Sequence, residues 1–114
     1  MSKTILRNIE PSVVLDLASL VDYHPGQVIS RTLVQNKGAG LTLFAFDQGE
    51  QISSHESSGD AMVQVLDGEG KVTIDGQDYF LKKGESIVMP ANLPHAVYAP
   101  QPFKMLLTVI FPEQ

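Results

Sequence analysis

The residues of this sequence best suited to chemistry are two histidines, His55 and His95. His55 lies in GEQISSHESSGDAMVQVLDGEG, Gly49 to Gly70, and His95 closes GESIVMPANLPH, Gly84 to His95. Imidazole titrates near neutrality, and its two nitrogens serve as acid, base, hydrogen-bond partner or metal ligand. Each histidine stands where a glycine turn meets an apolar run, at a junction of strand and loop, where a barrel keeps its reactive groups. The two blocks are therefore expected to form opposite walls of one pocket, with the imidazoles facing each other across it. As metal ligands, His55 and His95 would hold a divalent transition ion (iron, manganese, nickel, copper or zinc), with another side chain and waters in the remaining positions. Gln51 shares strand parity with His55 if 51–55 is regular strand. Glu56 and Asp60 carry carboxylates that the irregular ESSGD loop could turn inward, giving a two-histidine, one-carboxylate set. Without a metal, the pair would be pocket-lining histidines bonded to each other, to Gln51 or to water, and still able to move a proton.

Other constellations carry less. Ser53, Ser54, Ser57 and Ser58 crowd around His55, but no Gly-x-Ser-x-Gly elbow is present, and serines in such a run are usually loop residues. Gly38 and Gly40 suggest phosphate binding only weakly, since no helical pattern follows to offer an N-terminus. His24, in His24-Pro25-Gly26, reads as a solvated turn residue. Phe44, Phe46, Tyr98, Phe103 and Met105 could line an apolar cavity, and plain core is an equal reading of them.

The elements that must position these groups are strands. Gln27 to Gln35, Leu41 to Asp47, Ala61 to Asp67, Lys71 to Asp75, Gln77 to Lys82, Glu85 to Met89, Ala96 to Ala99 and Phe103 to Phe111 are short, rich in β-formers and separated by turn residues. Asp75-Gly76 between KVTI and QDYFLK predicts a two-residue type I′ hairpin, and Asn36 to Gly40 a looser hairpin loop. Residues 12–23 fit either a short amphipathic helix using Val13, Leu17, Leu20 and Val21, or the start of a strand. Leu41 to Phe46 and Phe103 to Phe111 are apolar on both faces, which calls for a barrel interior on one side and a flanking strand or partner subunit on the other. A homodimer is the expected assembly.

With 114 residues the chain is expected to be one domain, residues 1–26 a lead-in and 27–114 the barrel. A formal charge of −5 without basic runs disfavours nucleic acid. The lack of cysteine excludes disulfides and thiolate chemistry. MSKTILRNIEPS interrupts its apolar residues with Arg7 and Glu10, unlike a signal peptide, and no run approaches the roughly 18 residues of a membrane span. These features point to a soluble cytoplasmic protein without membrane partners.

The same residues resemble the cupin superfamily over about 40–111. Gly49, His55 and Gly68 fall in register with its first motif, in which Ser57 replaces a histidine and Ala61 a glutamate. Gly84, Pro90 and His95 match the second, in which Asn92 replaces a glycine and Ala99 an asparagine. Asn92 is a mild change, since asparagine readily takes the left-handed conformation. The resemblance implies an all-β fold, an antiparallel jelly-roll β-barrel. Cupin metal sites typically use three imidazoles and one carboxylate, of which this sequence keeps His55 and His95. Two functions follow as expectations: a barrel that holds a divalent metal and a small organic ligand and acts on it as an enzyme, or a non-catalytic module that binds a small molecule without metal.

Overall fold

In the computed structural model, which describes residues 4–113, nine strands follow a single 3₁₀ turn at Leu17–Leu20. They are β1 (Val28–Gln35), β2 (Ala39–Phe46), β3 (Gln51–His55), β4 (Asp60–Asp67), β5 (Glu69–Ile74), β6 (Gln77–Lys82), β7 (Ser86–Met89), β8 (His95–Tyr98) and β9 (Phe103–Ile110). A five-stranded sheet has the order β1-β2-β9-β4-β7, and a four-stranded sheet the order β3-β8-β5-β6. All pairings are antiparallel. The strands of each sheet come from distant parts of the chain, which is the jelly-roll arrangement.

The main core lies between the sheets, with Phe46 stacked on Phe103 at 4.6 Å between centroids. Inward residues alternate with outward ones: Met105, Leu107 and Val109 belong to this core, while Leu106 belongs to a second cluster outside the five-stranded sheet. Turn chemistry sets the registers. Asp75 and Gly76 both have positive φ, 48° and 84°, as a type I′ turn requires. Gly68 is fixed by φ +71° and by a close approach to the Pro102 carbonyl and Phe103, where a Cβ would clash. Asn92 takes φ 65°, the left-handed conformation anticipated for it. The hairpin after β1 is shorter than Asn36 to Gly40, because the Asn36 carboxamide oxygen accepts from Gly38 N (2.8 Å) and Ala39 N (2.9 Å) and lets β2 begin at Ala39. His24 is exposed in its turn, its carbonyl accepting from Gln27 N.

The lead-in forms no amphipathic helix, only the one turn, capped by Asp16 on Ala18 N. Leu17, Leu20 and Val21 pack with Ile9 and Tyr23 over Leu33, Leu43 and Ala45, whereas Val13 stays exposed. Long cations on the sheet hold this strap by its carbonyls: Arg31 donates to Asn8 O (2.6 Å) and Leu20 O (2.9 Å), and Lys104 to Ala18 O (2.7 Å). Tyr23 donates to the Asp67 carboxylate, and burial, then this hydrogen bond and the carboxylate's charge, raise its pKa. Much of the outer apolar face on which a second subunit was expected is thus covered by the chain itself. Val88 and Ile110, on the uncovered end of that face, remain more than half exposed. Among the described residues no helix is long and apolar enough to cross a membrane.

Candidate functional site

A cavity of about 380 Å³ opens between the sheets, its wall apolar except at His55, Glu56, Ser57 and His95. The two blocks read as opposite walls are neighbours along one sheet at this point. β3 pairs with β8, and His55 lies directly opposite His95. Ile52 pairs with Val97, so three steps along β3 match two along β8. The extra residue is a β-bulge, and it decides the site. Regular alternation would send His55 to the same side as Gln51; the bulge turns it to the side of Ile52, Val97 and His95. Gln51 itself pairs with Tyr98, is exposed and takes no part in the cavity. Its proposed place beside the histidines is therefore overturned, because 51–55 is not regular strand.

The rings meet edge to face, with centroids 4.3 Å apart and Nε2 of His95 3.1 Å from Nε2 of His55. His55 Nδ1 lies 3.0 Å from the Ser53 carbonyl oxygen, which can only accept. The network therefore assigns the proton of neutral His55 to Nδ1, makes its Nε2 the acceptor and gives His95 the Nε2 proton. That leaves His95 Nδ1 with a bare lone pair. This atom is buried without a hydrogen-bond partner, in a side chain only 4% exposed. Burial, then the neighbouring His55, lower the His95 pKa below its usual value; the Leu93 backbone opposes the shift in part without forming a hydrogen bond of normal geometry with Nδ1. Its surroundings thus favour the neutral form of His95, with Nδ1 left without a partner.

The carboxylates behave differently from each other. Asp60 points away from the cavity and accepts from Ala91 N (2.9 Å), tying the start of β4 to the loop after β7. Ser57 reinforces the tie, its carbonyl accepting from Asn92 N (2.8 Å) and its hydroxyl from Gly59 N (3.1 Å). Glu56 lines the cavity but does not complete a three-donor cluster with the histidines. Among the aromatics, Phe44 lines the cavity and Phe46 and Phe103 form core, while Tyr98 lies on the outer face under Lys71. Met89 and Ile52 are cavity residues that sequence reading missed; alternation from His95 through Val97 to its partner Ile52 was the available signal.

A metal can be tested against these donors. Two imidazole nitrogens about 2.1 Å from one ion lie roughly 3.0–3.4 Å apart at adjacent positions, and the Nε2 atoms are 3.1 Å apart. The Ser53 carbonyl holding His55 Nδ1 is the kind of contact that orients a metal-ligating imidazole. The pair therefore fits two adjacent positions of a coordination sphere. It does not make the four-residue set: Ser57 Oγ accepts a backbone N–H, Ala61 has no donor, and no cluster of three or more His, Cys, Asp or Glu exists among the described residues.

Comparison with known proteins agrees with this architecture. A solved protein of unknown function from Streptococcus pyogenes, SPY1581, is 46% identical with full coverage of both chains and a TM-score of 0.97. A cupin superfamily protein from Desulfitobacterium hafniense is 34% identical, with a TM-score of 0.89, over 94% of this chain and 98% of its own. The HTH-type transcriptional regulator PuuR of Escherichia coli is 33% identical over 95 residues, 76% of this chain and 49% of the regulator. The chain thus spans about half the length of the curated relatives it matches. The cupin domain profile matches residues 42–111, from the middle of β2 to the residue after β9, and the chain belongs to that family.

Proposed function

We propose that the barrel binds a small organic molecule with an apolar body and one polar group, which the His55–His95 pair addresses. The observation that carries this reading is the cavity: about 380 Å³, within the range of small-molecule sites, apolar over most of its wall and polar at one end. The histidine pair at the polar end supports it, since its Nε2 atoms, 3.1 Å apart, can exchange their mutual hydrogen bond for one to a ligand. The match to one half of a transcriptional regulator supports recognition without turnover as the use of the barrel. The test is a thermal-shift screen of small aliphatic and aromatic acids, alcohols and amines. A ligand that raises the melting temperature of the wild type, not of the His55→Ala, His95→Ala variant, and is recovered unchanged supports the reading. Metal-stimulated turnover of that ligand would refute its non-catalytic part.

A second reading is favoured by the convergence of the two Nε2 atoms: a divalent transition metal with His55 and His95 as protein ligands, and solvent or the organic ligand in the remaining positions. Such an ion would supply Lewis-acid polarisation. Metal analysis of untagged protein decides it. A stoichiometric ion lost in the double variant supports the reading, and apo-protein that takes up none of iron, manganese, nickel, copper or zinc removes it. In either reading the described residues before 27 act as a strap on the barrel that follows, the two forming one unit. The exposed Val88 and Ile110 support a homodimer, against which a monomer in sedimentation at micromolar concentration would stand.

A further inference from the structure

Phe111 borders three hollows at once. Its ring lines the interior cavity, a hollow of about 260 Å³ formed with Ser58, Asp60 and Pro112, and one of about 180 Å³ formed with Gln35 and Lys37. It continues the inward row of Met105, Leu107 and Val109 one step past the end of β9, so the ring stands as a partition between the barrel interior and the outer hollows. Little holds it there. Its N–H donates to Gly38 O (3.0 Å), the following Pro112 has no N–H to extend the ladder, and the side chain is half-buried. With hollows on more than one side of it, the half-buried side chain has room to change rotamer.

We infer that Phe111 is the specificity-determining gate of the cavity: its ring sets the greatest length of ligand the barrel accepts and moves to admit it. This rests on the cavity being a ligand site. A rotation of the ring joins the interior to the outer hollows, so ligands longer than the closed cavity extend toward Ser58 or Lys37. The apolar deep end, with Met89 and Met105 in its wall, receives the body of the ligand whichever way the ring stands.

The experiment uses the full chain labelled at the methionine methyl carbons and titrated with benzene, toluene, ethylbenzene, propylbenzene and butylbenzene. An apolar cavity of ~150 Å³ already holds benzene, so the wild-type cavity is large enough for the shorter probes. Met89 and Met105 report on the interior, and Met62, on the outer face of β4, serves as the control. In the wild type the interior signals shift with the short probes and stop responding at a certain chain length. Phe111→Ala responds to longer members and exchanges them about tenfold faster, as removal of a gate requires. Phe111→Leu, which keeps an apolar side chain should the alanine variant not fold, shows a smaller extension in the same direction. An unchanged length limit and exchange rate in the variants, with the short probes still bound, overturns the gate alone. No interior shift with any probe in any of the proteins overturns both the gate and the ligand-binding reading.

Discussion

Ala61 stands where the cupin motif carries a glutamate, and replacing it tests the geometry of the whole site. Its side chain is 2% exposed, lies opposite Val109 and Met89, and lines the cavity with both histidines. Ala61→Glu brings a carboxylate toward the Nε2 atoms and completes a two-histidine, one-carboxylate set. The cavity of about 380 Å³ has room for the added atoms, so overpacking contributes little. Without metal the new group sits among apolar neighbours and is left partly unpaired, destabilising the fold by about 1–3 kcal/mol. It takes up a proton more readily than an exposed glutamate does. At roughly 4 °C per kcal/mol in a chain of this size, the chelator-treated variant melts about 4–12 °C below the wild type. An ion at a hundredfold excess over its dissociation constant returns about 2.7 kcal/mol, close to the whole loss. The assay is thermal unfolding of both proteins in chelator and in zinc or manganese. A variant that melts with the wild type in chelator and gains no more from metal than the wild type would show that Ala61 does not face the histidines, and the proposed centre would have to be abandoned.

Three further outcomes follow from the contacts. The lowered pKa of His95 means that the folded chain disfavours the charged ring, so the unfolded chain binds the proton first as pH falls. Stability from this group is full above the unfolded value of about 6.5 and is lost as pH drops through it toward the folded value; urea midpoints from pH 8 to 5 should decline, with a shallower slope in His95→Gln. Tyr23→Phe removes the hydrogen bond to Asp67, a loss of about 1 kcal/mol at this half-buried site, and amide exchange at Arg7 and Ser19 should quicken if the strap loosens as a unit. Gly70→Ala places a methyl 2.5 Å from the Phe103 ring and destabilises by about 1–3 kcal/mol through overpacking; adding Phe103→Leu should recover part of that loss, and strict additivity of the two would refute the contact.

The architecture was legible because local signals agreed. Apolar alternation, glycine turns and Asp75-Gly76 each specify strand geometry within a few residues, and Asn92 kept the backbone conformation of the glycine it replaces. The strap was not legible for a physical reason: it is held by cations of distant strands reaching its backbone carbonyls, Arg31 to Leu20 and Lys104 to Ala18. Any residue type offers a carbonyl, so such contacts leave no side-chain pattern in the segment they hold. The two apolar faces of 41–46 were read correctly as needing cover, but the pattern could not distinguish a second subunit from the chain's own Leu17, Leu20 and Val21.

At the site, motif spacing located the histidines while strand parity misplaced their neighbours, and both results have the same cause. Spacing counts residues and is indifferent to backbone shape, whereas parity assumes an unbroken pleat. The extra residue between Ile52 and His55 breaks the pleat, so Gln51, which the parity rule puts beside His55, faces outward. Parity does hold where the ladder is regular: on β4, Ala61 opposite Val109 faces the cavity and Asp60 opposite Ile110 does not. The inward position next to the histidines is thus occupied by a methyl group, and the adjacent carboxylate is committed to Ala91 N. A one-residue slip of β4 would exchange them, but it would also expose Val63 and Val65, both at most 2% exposed. The packing that stabilises the barrel therefore holds the Asp60 carboxylate outside, and on β4 an acidic third ligand can arise by substitution at Ala61, not by a shift of register.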